Sequence, residues 1–172
     1  MILRWFQSKS AAWLWLVVRL YVGYEWLMAG WHKIAGEKPF DSTGFLKGAV
    51  AKATGDHPAV QGWYAGFLKS VAIPNAAVFN VLIPWGEFLV GLALILGFAT
   101  MFAALMGAFM NLNFMLAGST STNPTLFTLS VLMLAAGAYV GYIGVDYWFR
   151  PYYRSIVDSL GQRRQATAPK PV

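Results

Sequence analysis

The 172-residue sequence contains no cysteine. That excludes a disulfide framework, a thiolate metal site, an iron–sulfur cluster and a redox-active thiol. Histidine occurs only as His32 and His57, too few and too poorly spaced for a pair of haem ligands on helices. A metal set drawn from His32, His57 and Asp56 shows no supporting shell of oriented partners, so no metal is expected. No glycine-rich phosphate loop and no nucleophile elbow is present. Charge is also scarce. Asp, Glu, Lys and Arg make up 12% of the chain, against about 25% in soluble domains. The composition argues against an ordinary soluble globular protein.

What remains is apolar. Hydrophobic residues account for 58% and aromatic residues for 16%, which argues against a disordered chain. A membrane helix needs about 20 mostly apolar residues. Four stretches meet or approach this: 11–30, 78–97, 100–116 and 125–145. The expected fold is an all-α integral membrane bundle of four transmembrane helices. The first stretch is read as a retained helix and not a signal peptide, because Arg19 breaks its apolar run and no small-residue cleavage site follows. Residues 1–160 read as one domain, and 161–172 as a disordered cytoplasmic tail.

The long first loop, 31–77, carries an apolar stripe at helical spacing: Val60, Trp63, Tyr64, Phe67, Leu68 and Val71. It predicts an amphipathic helix over 60–71, started near Asp56 and Pro58 and lying at the membrane surface. The net charge of +6 comes mostly from residues outside the apolar runs. It therefore reads as positive-inside topology and anionic-lipid contact, and not as a nucleic-acid surface. Seven basic residues flank the two ends of the chain and five lie in 31–77. That bias predicts cytoplasmic termini and an outer loop. Tyr147 to Arg154 reads as an interfacial anchor of aromatic and cationic side chains.

Arg19, Glu25 and Glu87 fall inside apolar stretches, where a mid-bilayer charge costs about 2.5–3.5 kcal/mol even on the lenient insertion scale. Each needs a partner or a wet cavity. From the outer helix ends, Glu25 lies roughly 9 Å deep, Glu87 roughly 13 Å and Arg19 roughly 18 Å. On this estimate Arg19 and Glu87 are expected to pair. Asn80, Pro84, Glu87 and Gly91 share one helix face, and Pro84 frees the carbonyl of Asn80. Tyr21, Glu25 and His32 share another, and Trp26 and Lys33 lie on the face of Arg19. Asn111 and Asn113 lie near the end of the third stretch, with Ser119 to Asn123 above them. The expected ligand pocket is Arg19, Tyr21, Trp26, Asn80, Glu87, Asn111 and Asn113. The candidate catalytic groups are Glu25, Glu87 and His32 as proton carriers. Gly137 and Gly141 read as a helix-packing pair, and Met101, Met106, Met110 and Met115 as packing or lipid-facing residues.

Three pieces carry a family resemblance. The run Arg19-Leu20-x-x-Gly23-x-x-Trp26-x-x-Ala29-Gly30-x-x-Lys33 resembles the first helix of DoxX-type membrane proteins. Glu87-x-x-x-Gly91, then Leu96-Gly97 and Thr100, resembles their second helix and hairpin. Asn111-x-Asn113 through Gly118-Ser119 and Asn123-Pro124 is similar to a subgroup. The resemblance implies a four-helix bacterial inner-membrane protein. It extends to the DoxD-type subunit of thiosulfate:quinone oxidoreductase.

Two functions follow, and the sequence leaves open whether the protein is an enzyme. One is a membrane component of an oxidoreductase system that handles a quinone or a small reduced sulfur substrate, with no covalent cofactor. The other is a non-catalytic anchor for a second oxidoreductase subunit or a soluble redox protein. A small-solute carrier ranks lower, because four helices show no internal repeat.

Overall fold

The computed structural model describes residues 5–149 and 151. Those residues are helical and contain no strand. A short 3-10 turn, Lys9–Ala11, leads into α1 (Ala12–Ile34). Then follow α2 (Thr43–Ala51), α3 (Gly62–Phe67), α4 (Ala76–Leu96), α5 (Thr100–Leu116) and α6 (Asn123–Ala136). A π-helical turn, Leu68–Ala72, continues α3, closed by the Ile73 N–H donating to the Leu68 carbonyl at 2.9 Å.

The antiparallel pair α1 and α4 forms the spine. Gly23, Gly30 and Gly91 lie at the crossing. A Cβ on Gly91 would strike the backbone of Leu27, and one on Gly30 the backbone of Phe88 and Pro84. Only glycine permits so close an approach. Pro84 sits inside α4, where its missing N–H leaves the Asn80 carbonyl without its helical donor. The α4–α5 hairpin turns on Gly97 (φ 66°) and Ala99 (φ 46°). Ala99 pays a steric cost there, because its Cβ is crowded in the left-handed region.

Two cores result. Trp15, Val22, Trp26, Val90, Leu94, Ala103, Ala104, Leu126 and Met133 fill the space between α1, α4, α5 and α6. Leu46, Ala49, Val60, Tyr64, Leu68 and Ala117 make a smaller core that caps one end of the bundle. The outside of the bundle is strongly apolar, with Trp13, Val17, Leu82, Phe102 and Phe109 all well exposed. Exposed apolar surface on this scale marks contact with lipid or another protein.

The structure revises several sequence expectations. By length and composition, one described helix, Ala76–Leu96, passes as a membrane span, with mean hydropathy 1.9 over its window. The fourth stretch, expected over 125–145, stops as a helix at Ala136. Gly137 there takes φ 67° and ψ −146°, which no α-helical residue adopts. A 3-10 turn, Gly137–Tyr139, follows, so Gly137 and Gly141 are not a helix-packing pair. Gly141 instead abuts Asp146 and Thr100.

The loop helix begins after Gln61, later than Asp56 and Pro58 implied, and the sequence reading missed α2 altogether. The single apolar stripe divides into two faces. Tyr64 and Leu68 are buried in the cap, and Trp63 and Phe67 face outward. The expected tail 161–172 lies outside the described residues, as does most of the anchor tract beyond Phe149.

Candidate functional site

A cavity of about 300 Å³ lies at the capped end of the bundle. Three elements converge on it. From α1 come Glu25, Trp26, Ala29 and Lys33, at the i, i+4, i+8 and i+1, i+8 spacings that put them on neighbouring faces. From α4 come Ile83 and Glu87, one on either side of the backbone relaxed by Pro84. The third wall is the polar turn between α5 and α6: Ser119, Ser121, Thr122 and Asn123.

Glu87 is 2% exposed. Its Oε2 accepts from Lys33 Nζ at 2.6 Å, an ion pair whose lysine end remains partly exposed. Lys33 also donates to the Ala29 carbonyl at 3.2 Å and lies 5.8 Å from the centre of the Phe40 ring. A buried carboxylate without a partner is costly, so this contact accounts for the placement of Glu87. Glu25 faces the same cavity, partly exposed, with no hydrogen-bond partner among the described residues.

Aromatic rings line the rest. Phe114 lies 6.4 Å from Trp26 and 6.2 Å, edge-on, from Phe45. Phe40 comes from the loop before α2 and Phe45 from the first turn of α2, and Asn80 of α4 holds the start of that helix in place. Asn80 Oδ1 accepts from both the backbone N–H and the hydroxyl of Ser42, each at 2.7 Å. Ser42 is fully buried by this contact. Asp41 accepts the Thr43 N–H at 3.0 Å, an Asx-type start to α2. Hydrogen bonds from the Thr43 side chain and backbone hold the Asp41 carboxyl below the usual carboxylate range.

Of the sequence-predicted pocket, the structure brings Trp26 and Glu87 together, and Glu25 from the catalytic candidates with them. The others are elsewhere. Asn80 is a strut behind the wall. Asn113 accepts the Tyr64 hydroxyl at 3.1 Å and so docks the cap onto α5. Burial raises the Tyr64 pKa. Tyr21 is 44% exposed on the outer face of α1, and His32 is exposed away from the cavity. Asn111 is buried inside the bundle.

Arg19 does not pair with Glu87. It lies at the opposite end, where its Nη2 donates to the Ile143 carbonyl at 2.7 Å and its Nη1 to Val140 at 3.5 Å. The early stop of α6 frees these carbonyls, and Gly97 and Gly144 leave room for the guanidinium. Asp146 completes that end by accepting from the N–H groups of Ala99 and Thr100 at 2.7 and 2.8 Å, which caps α5.

Lys33, Phe40 and Phe45 were missed from the sequence. Lys33 was legible, since it follows Trp26 by seven residues on one face. Phe40 and Phe45 were not, because nothing in the sequence shows that the segment carrying them folds back onto Asn80.

The model of the DoxX family matches residues 14–119, more than half of the chain. The chain belongs to the DoxX family. The matched region runs from α1 to the turn after α5, so it includes Glu25, Lys33, Glu87 and Ser119 of the cavity. No curated protein and no solved structure matches this DoxX protein. The family and the apolar exterior together make it a membrane component.

Proposed function

We propose that this DoxX protein spans a bacterial inner membrane with α1, α4, α5 and α6, both termini cytoplasmic, as a component of an oxidoreductase system. Its cavity receives the headgroup of a quinone. The carrying observation is the cavity itself. Aromatic rings from α1, the loop before α2, α2 and α5 line it, and the ion pair of buried Glu87 with partly exposed Lys33 stands at its side. A flat, largely apolar ring with polar edges suits such a site. Glu25 and the Lys33–Glu87 pair supply proton-exchanging groups beside that ring. The lipid-facing exterior supports delivery from the bilayer.

The test is extraction and mass analysis of lipids retained by the purified protein, alongside titration with a short-tailed quinone. Retention of a quinone by the wild-type protein, lost in Glu87→Gln and Phe114→Ala variants that still fold, is the expected result. A folded wild-type protein that neither retains nor binds quinone overturns the reading and leaves the role of a non-catalytic anchor for a redox partner.

A further inference from the structure

The cavity wall holds two carboxylates and one ammonium: Glu25, Glu87 and Lys33. Lys33 pairs with Glu87 and gives a second N–H to the Ala29 carbonyl. It stands two helical turns beyond Glu25 on α1, about 12 Å by helical rise, and forms no ion pair with it. Glu25 therefore keeps an uncompensated charge. It lines the cavity, is only partly buried, and makes no hydrogen bond among the described residues. The third wall, the turn between α5 and α6, is neutral. There the Asn123 amide donates to the Ser119 carbonyl at 3.2 Å and to its hydroxyl at 3.5 Å, which leaves Asn123 Oδ1 as an acceptor.

A ring bound here meets mostly acceptors. Ionised Glu25 can only accept, and Lys33 has a single N–H left to give. The hydroxyls of Ser119, Ser121 and Thr122 can turn either way, so they suit either kind of partner. A quinone carbonyl brings no proton, and against Glu25 it would set lone pair against lone pair. A hydroquinone carries an O–H at each end of the same ring and can donate one to the carboxylate. Hydrogen bonds from a hydroxyl to an ionised oxygen are among the strong ones, and a site built for a hydroxyl rejects an analogue that lacks it. We infer that the cavity selects the reduced, dihydroxy form of the ring, and that Glu25 is the residue that reads its hydroxyl. This rests on the quinone reading above and names the redox form that the site holds. A couple bound this way is easier to reduce than the free one, because binding favours its reduced member.

The full-length protein in detergent is titrated without oxygen with durohydroquinone and with duroquinone, which share one tetramethyl ring. Wild type is expected to bind the hydroquinone about tenfold more tightly, the scale of one hydrogen bond to a charged group. The midpoint potential of the bound couple should then lie about 30 mV above that of the free couple, the two-electron equivalent of a tenfold ratio. Glu25→Gln keeps the shape of the side chain and adds a donor, so the preference and the potential shift should both largely disappear. Its unfolding temperature should stay near that of wild type, because Glu25 has no partner to lose. If Glu25→Gln does not fold, Glu25→Ala reads the same preference. Equal binding of the two forms, tighter binding of duroquinone, or an undiminished preference in the folded variants overturns the inference while the cavity stands as a ring site. Binding of neither form overturns the quinone reading and the inference with it.

Discussion

Lys33 and Glu87 meet at 2.6 Å across the α1–α4 interface, 54 residues apart in sequence. The contact fixes the C-terminal end of α1 against the middle of α4, beside Pro84. Removing the ammonium by Lys33→Met leaves Glu87 buried and uncompensated. The loss should fall below the about 3–5 kcal/mol of a fully buried pair, because the lysine end is partly exposed. The double variant Lys33→Met with Glu87→Leu should recover part of it. Thermal unfolding of the two variants in detergent checks this; a double variant no more stable than Lys33→Met would count against the pairing.

Arg19 belongs to the other end of the bundle, so its loss should leave the cavity intact. Arg19→Met is expected to loosen residues 140–146, read as faster amide hydrogen exchange there, with ligand binding unchanged. Asp146→Ala removes the α5 cap and should cost about 0.5–2 kcal/mol. A coupled loss of binding in Arg19→Met would show that the two ends communicate.

The glycines at the α1–α4 crossing make graded predictions. Gly91→Ala places a methyl against the Leu27 backbone, which cannot move aside, and should cost at least the about 1–3 kcal/mol of overpacking. Gly23→Ala first meets the Ile95 side chain and should cost less. Gly44 in α2 has open space around it, so Gly44→Ala should be neutral or stabilising, by up to about 0.5–1 kcal/mol. Unfolding midpoints of the three variants should fall in that order.

The strut at Asn80 carries a pH dependence through Asp41. The folded-state pKa of Asp41 is depressed by hydrogen bonds from Thr43. Its contribution is therefore present above the unfolded carboxylate value, about 3.9, and is lost as pH falls through the lower folded value. Wild type should be more stable than Asp41→Asn near neutral pH, and the difference should vanish in acid. Unfolding midpoints measured from pH 7 down through the acid range test the sign; a gap that widens in acid would refute it.

Orientation is testable because the chain has no native cysteine. Lys47→Cys is expected to react with a membrane-impermeant maleimide added outside intact spheroplasts. Reaction only after lysis would invert the topology.

Composition, the order of apolar stretches and the family motifs determined the helical class, the three longest helices and a helix in the first loop, because these depend on local periodicity and on the solvent each face must meet. The same reading placed Trp26 and Glu87 at one site, since each lies on a helix face whose spacing is fixed. It could not pair the charges. Depth along separate helices says nothing about which faces oppose one another, and Arg19 found carbonyls that only the break at Gly137 exposes. Nor could it show that Ser42 folds onto Asn80 and carries Phe40 and Phe45 into the cavity wall, because that contact joins a loop to a helix 38 residues away. Helix faces are written locally, every 3.6 residues. Partners across the bundle are chosen by packing, which only the tertiary structure decides.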